Sequence, residues 1–240
     1  MAFFDFLSDL PRYAGKARSI KRLNSRHDFL ITPYADEIAG SRVLDLAAHD
    51  GRWSYALSSA GAAEVLGVEW RSELIEQFEA YPAGDAKDRV TLVQGDVYLA
   101  IPQLVAEGRT FDVVSVYGLY YHLMDHYGLL KLIKQLQPRL VIIDSEFYLS
   151  PEPTVRMQVE DPTNKLNSIE HEPGQEQAPV GFPSRAAMEM MATSLGYDVT
   201  WADWETVPED QREGIFAYYR PEPPHWKRRG TCALRPRVTG

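Results

Sequence analysis

The feature that most restricts the possible folds is the run Val43-Leu44-Asp45-Leu46-Ala47-Ala48-His49-Asp50-Gly51-Arg52-Trp53, where an apolar stretch breaks into a tight turn and a helical pattern begins. A strand, a turn and a helix in that order form the junction at which α/β proteins hold nucleotide-like ligands. A second apolar run, Glu64-Val65-Leu66-Gly67-Val68, ends on Glu69, at about the spacing of a ribose-binding carboxylate. As a dinucleotide site the turn is deficient: Ala47 and His49 stand where glycines would let the backbone approach a pyrophosphate, and only Gly51 remains. This argues against NAD.

S-adenosylmethionine has no phosphate, so small or polar side chains in the turn cost it little. On the residues above, the chain resembles the class I S-adenosylmethionine-dependent methyltransferases over roughly residues 43–145. The resemblance implies that Asp45 lies near the methionine end of the cofactor, with Ala47, His49 and Gly51 along the loop and Glu69 on the ribose hydroxyls. A third strand, Arg89 to Gln94, leads into Gly95-Asp96-Val97, and the resemblance places Asp96 at the adenine amino group with Val97 and Tyr117 nearby. Trp70 is open to two readings, a wall against the adenine face or ordinary core packing.

Strand and helix patterns alternate along the chain without internal repeats. This implies an α/β, doubly wound, Rossmann-like sheet, mostly parallel with an antiparallel edge strand, to which N-terminal helices and a lid insertion are added. Helices are predicted to start near Asp50, Arg71, Val97 and Met124, with strands at Phe111–Val116 and Leu140–Asp144. A helix from Ser184 to Leu195 ends at Gly196, and Tyr197–Trp204 reads as a strand. Thr231–Arg237 can pair with it, and Pro236 argues for an edge position. One domain accounts for all 240 residues. Residues 1–38 are read as a helical cap, and residues 148–183, carrying six prolines, as a lid or substrate loop.

A single cysteine, Cys232, excludes an intrachain disulfide framework and points to a reducing, cytoplasmic setting. Asp5 and Asp9 interrupt the apolar N-terminus, so neither a signal peptide nor a spanning helix is expected there. The formal net charge is -9, but residues 1–30 hold six Lys/Arg against three acids, and residues 220–240 six against one. So acidic a middle is a poor surface for nucleic acid. The basic ends are read as solvated faces, with RNA contact at Lys227-Arg228-Arg229 as the alternative.

Methyl transfer needs an acceptor atom in line with the donor methyl and a group to take the acceptor's proton. Tyr117-Gly118-Leu119-Tyr120-Tyr121-His122 follows the fourth strand directly. His122 is the expected general base, because histidine ordinarily titrates near neutrality, and Tyr121 is an expected substrate contact. Asp144 and Glu146 at the end of the fifth strand are expected to orient substrate hydroxyls or, with Asp112, to hold a divalent cation such as magnesium. His171 in the lid is a further substrate contact. An acidic, tyrosine-rich crevice would suit a neutral polyhydroxylated acceptor. The version Ala47-Ala48-His49-Asp50-Gly51-Arg52-Trp53 of the first motif, with Arg228-Arg229-Gly230-Thr231, is similar to actinobacterial sugar O-methyltransferases such as the mycobacterial mannoside O-methyltransferase of methylmannose polysaccharide synthesis. The resemblance implies an O-methyltransferase of a saccharide or similar small molecule, with a homodimer as the default assembly. The alternatives are an RNA-modifying methyltransferase and a non-catalytic cofactor-binding partner protein.

Overall fold

Seven strands form one sheet in the order β3-β2-β1-β4-β5-β9-β8 in the computed structural model, which describes residues 2–164, 166–170 and 172–237. The strands are β1 (Arg42–Leu46), β2 (Glu64–Glu69), β3 (Val90–Gln94), β4 (Val113–Tyr117), β5 (Leu140–Tyr148), β8 (Tyr197–Trp201) and β9 (Lys227–Pro236). The first five run parallel, while β9 pairs antiparallel with both β5 and β8. β9 therefore runs inside the sheet. Pro236, the residue that argues for an edge, is its last residue, opposite Tyr197, where a missing N–H interrupts little.

The helices are α1 (Ala17–Leu30), α2 (Ala35–Ile38), α3 (Arg52–Ser59), α4 (Ser72–Ile75), α5 (Asp85–Asp88), α6 (Val97–Ala106), α7 (His126–Gln135) and α8 (Arg185–Ser194). They cover both faces of the sheet, which is why its central strands read as unbroken apolar runs. Along β1, Leu44 and Leu46 pack with Ile101 of α6 and Leu129 of α7 on one side, whereas Val43 joins Leu23 of α1 and Trp53 and Leu57 of α3 on the other. The start of the expected helical cap forms a 3-10 helix over Phe3–Asp9 that buries Phe4 and Leu7.

Between β5 and α8 the chain forms a two-stranded antiparallel hairpin, β6 (Val155–Glu160) with β7 (Ala178–Pro183). The sequence reading expected only loop here. Gly181 N–H donates to the Leu123 carbonyl (2.8 Å), so the hairpin is fastened to the segment that follows β4. A side chain at position 181 would place its Cβ 2.7 Å from His126 Cε1, and the close approach requires glycine. Among the described residues, no helix is long and apolar enough to cross a membrane.

Candidate active site

β1 and β4 are neighbours from which the chain order runs outward in opposite directions, and beyond their carboxyl ends lies a cavity of about 720 Å³. Open α/β sheets bind ligands at such a switch point. Ala47, Glu69, Asp96, Gly118 and Glu146, each from the end of a different parallel strand, contribute to its wall.

The turn after β1 has an uncommon backbone. Ala47 (φ 58), His49 (φ 58) and Gly51 (φ 76) are all left-handed, so the alternating conformation of a glycine-rich loop is kept although two of its three positions carry side chains. Gly51 is obligatory, since an added Cβ would lie 2.5 Å from Phe78 Cδ2. The conformation is secured from the side. Asp50, fully buried, accepts from Tyr13 Oη (2.6 Å) and Arg52 Nε (2.6 Å) and pairs with Arg12 (3.2 Å). Burial works to raise the Asp50 pKa, but the Arg52 charge and the hydrogen bonds from His49 and Tyr13 outweigh it and hold this carboxyl far below the usual range. Arg12 also reaches His49 Nε2 (3.1 Å), and burial together with the Arg52 charge lowers the His49 imidazole to about 4.

Glu69 ends β2 with Oε2 accepting from His49 N–H (2.9 Å) and Oε1 from Arg71 N–H (2.9 Å), which orients the carboxylate at the cavity wall. Asp96 caps α6, its Oδ1 accepting from Tyr98 N–H (2.8 Å), and lines the cavity beside Gly95 and Val97. Trp70 also lines the cavity and is 43% exposed, which rules out the core-packing alternative. Tyr117 closes the floor with its hydroxyl donating to the Leu30 carbonyl (3.0 Å). Asp45 is different: it lies behind the wall, where its two oxygens accept from Ser54 (2.6 Å) and Ser115 (2.7 Å). Burial raises its pKa to about 6 despite those hydroxyls. Gly51 likewise shapes the loop without facing the cavity.

At the other end, His122 lines the cavity with its Nδ1 2.7 Å from Glu160 Oε2. Glu160 closes β6 of the hairpin, and the same oxygen accepts from Ser168 N–H (2.7 Å). Burial opposes ionisation of Glu160, but the His122 hydrogen bond and charge prevail and lower its pKa. Tyr121 lies against His122 (ring centroids 4.1 Å) and stacks on Phe182 of β7. The sequence reading missed Glu160, which lies 38 residues from His122; the alternating run Val155-Arg156-Met157-Gln158-Val159-Glu160 could have marked its strand but not its partner.

The proposed roles of Asp144 and Glu146 change. Asp144 is wholly buried and accepts from Arg26 (2.7 Å), Arg229 Nε (2.6 Å), Tyr218 (2.6 Å) and Thr231 (2.7 Å), so no acceptor capacity remains for substrate. Burial raises its pKa and the charges of Arg229 and Arg26 more than reverse the effect. Glu146 reaches the cavity but is paired with Arg220 (2.7 Å) and Lys227. Asp112 accepts from Arg42 N–H (2.8 Å) at the opposite end of the sheet. The three acids cannot form one cation cage, and among the described residues no group of three or more His, Cys, Asp or Glu could hold a metal. His171 lies outside the described residues. The expectation of an acidic crevice also fails, because α1 carries Arg18, Arg22 and Arg26 to the wall and the C-terminal part adds Arg220 and Arg229.

Residues 43–140 match the model of a family described as a methyltransferase domain. Over 90% of this chain and 83% of the other, the structure superimposes with a TM-score of 0.62 and 19% identity on the N-terminal domain of EvdMO1, solved in the presence of S-adenosylhomocysteine (SAH) and D-fucose. This chain has the class I methyltransferase fold. A Mesorhizobium loti S-adenosylmethionine-dependent methyltransferase shares that fold at a TM-score of 0.58, with 14% identity over 85% of this chain and 96% of the other. A demethylmenaquinone methyltransferase of Clavibacter sepedonicus is 35% identical over 120 residues, which make up 50% of this chain and 46% of that protein. The chain thus spans about half the length of this curated relative.

Proposed function

We propose that the protein transfers a methyl group from S-adenosylmethionine to a hydroxyl of a small polyhydroxylated acceptor, a saccharide or a molecule of similar character. The observation that carries this reading is the placement of His122, held from behind by Glu160, on the wall of the same cavity as Glu69 and Asp96. The donor set suits an adenosyl group: Glu69 is a backbone-oriented carboxylate for a vicinal diol, and Asp96 an acceptor for an exocyclic amine. When bound, S-adenosylmethionine supplies an electrophilic methyl, so that the acceptor oxygen forms the C–O bond as the C–S bond breaks and the electron pair leaves with sulfur. Glu160 holds the His122 Nδ1–H, which leaves Nε2 as the nitrogen that takes the hydroxyl proton. Tyr121, packed between His122 and Phe182, restricts the imidazole's rotation. The D-fucose present with the structural neighbour supports a sugar-like acceptor.

His122→Ala tests the reading. With labelled S-adenosylmethionine and a panel of polyol acceptors, transfer should fall by roughly 10²–10⁴ while SAH affinity stays within a few-fold. Equal transfer rates for variant and parent would remove His122 as the base. SAH binding by both proteins without turnover on any hydroxylated acceptor would favour a non-catalytic partner protein.

A further inference from the structure

The two basic ends of this acidic chain meet at one place. Arg18, Arg22 and Arg26 of α1 and Arg220 and Arg229 from the last 21 residues line the same end of the cavity. Carboxylates answer only part of this charge: Asp144 serves both Arg26 and Arg229, and Glu146 serves both Arg220 and Lys227. Among the described residues no hydrogen bond or ion pair engages the guanidinium of Arg22, which faces the like charges of Arg26, Arg229 and Arg52. Like charges gathered at a partly desolvated wall repel one another, so such a cluster favours a site that receives an anion.

The cofactor of the preceding section does not supply enough negative charge. S-adenosylmethionine carries one carboxylate, one ammonium and one sulfonium, so it would add a net positive charge, and its single carboxylate would answer at most one guanidinium fork. From this excess we infer that the acceptor itself is anionic, a hydroxylated molecule bearing a carboxylate or phosphate that docks on Arg22 and its neighbours Arg26 and Arg229. The inference rests on the methyltransferase reading and deepens it. An anion at this end places a hydroxyl of the same molecule towards His122, because Arg229 lies over the Tyr121 ring (5.8 Å) and Tyr121 packs against His122.

The test titrates the full chain, saturated with SAH, with glucose, glucose 6-phosphate and glucuronate at low salt by calorimetry. At least one charged probe should bind ten-fold or more tightly than glucose, and the preferred probe tells phosphate from carboxylate. Arg22→Gln should remove most of that preference and change SAH affinity less than three-fold, whereas Arg237→Gln, a charge on the far side of β9, should leave the preference intact. Equal or absent binding of all three probes by the SAH complex overturns the inference alone. Displacement of SAH by the charged probes, or loss of SAH affinity in Arg22→Gln, also overturns it, since the arginines would then serve the cofactor carboxylate. Failure of the parent chain to bind SAH at all overturns the cofactor reading beneath it.

Discussion

At the scale of single residues, the site depends on carboxylates whose surroundings divide them into different roles. Glu160 reaches no reacting atom in the proposed reaction and acts through His122. Glu160→Gln should therefore lower kcat by about ten-fold or more with KM and SAH affinity nearly unchanged, and Glu160→Asp should recover part of the loss. A purely structural role would instead lower thermal stability and SAH affinity with the rate. Asp45 shows the opposite electrostatics. Its folded pKa of about 6 lies above the value of about 4 for an exposed carboxyl, so the folded state binds the extra proton and stability falls as pH rises through that interval. Above pH 6 the ionised, buried group destabilises the fold by about 3 kcal/mol. Asp45→Asn keeps the acceptor oxygen, and the Ser54 and Ser115 hydroxyls can reorient. The variant should gain up to about 3 kcal/mol in urea unfolding at pH 8 and almost nothing at pH 4, a profile that an unchanged stability difference at the two pH values would disprove.

At the scale of elements, the legible parts were those whose pattern arises locally. Strands β1, β2, β4 and β5 announce themselves as apolar runs because both faces of each are covered, and α6 and α8 by their caps, Asp96 and Ser184. The hairpin of β6 and β7 was missed although Val155-Arg156-Met157-Gln158-Val159-Glu160 alternates strictly between apolar and polar residues, because the prolines on either side read as loop; the alternation also runs against burial, since the apolar Val155, Met157 and Val159 are all exposed. The role of the N-terminal segment was also hidden, because Tyr13 and Asp50 meet only through tertiary packing. This contact ties the 3-10 turn Pro11–Tyr13 to the turn after β1 and helps keep Ala47 and His49 in their left-handed conformation. Tyr13→Phe leaves the ring in place and deprives a buried carboxylate of a donor, which should cost about 1–3 kcal/mol. SAH affinity should weaken in parallel, since the same bond supports the loop. Urea denaturation and calorimetry check both, and a destabilised variant that retains full SAH affinity would separate the strap from the site.

At the scale of the whole molecule, charge is arranged in a way no local window could show. A net charge of -9 and an acidic middle led to an acidic crevice, yet folding brings α1 and β9 to the same end of the sheet and gives the cavity basic walls. Composition reports the average surface, whereas a cavity takes its field from the few side chains that topology gathers. The end proposed for the cofactor follows the opposite logic, since Glu69 and Asp96 are fixed by the ends of β2 and β3 and were legible locally, Glu69 from its spacing to the first turn and Asp96 from the resemblance to class I methyltransferases. That end also discriminates between ligands. A dinucleotide would have to bring a pyrophosphate against a turn in which Ala47 and His49 stand where glycines would let the backbone approach it. SAH brings no phosphate to the turn. SAH should therefore raise the melting temperature progressively with concentration, by the equivalent of about 2.7 kcal/mol at a hundred times its Kd, and NAD at the same concentrations should produce no shift. A shift by NAD equal to that by SAH would mean that the left-handed, glycine-poor turn does not select against phosphate, and the assignment of this end to an adenosyl sulfonium cofactor would fall with it.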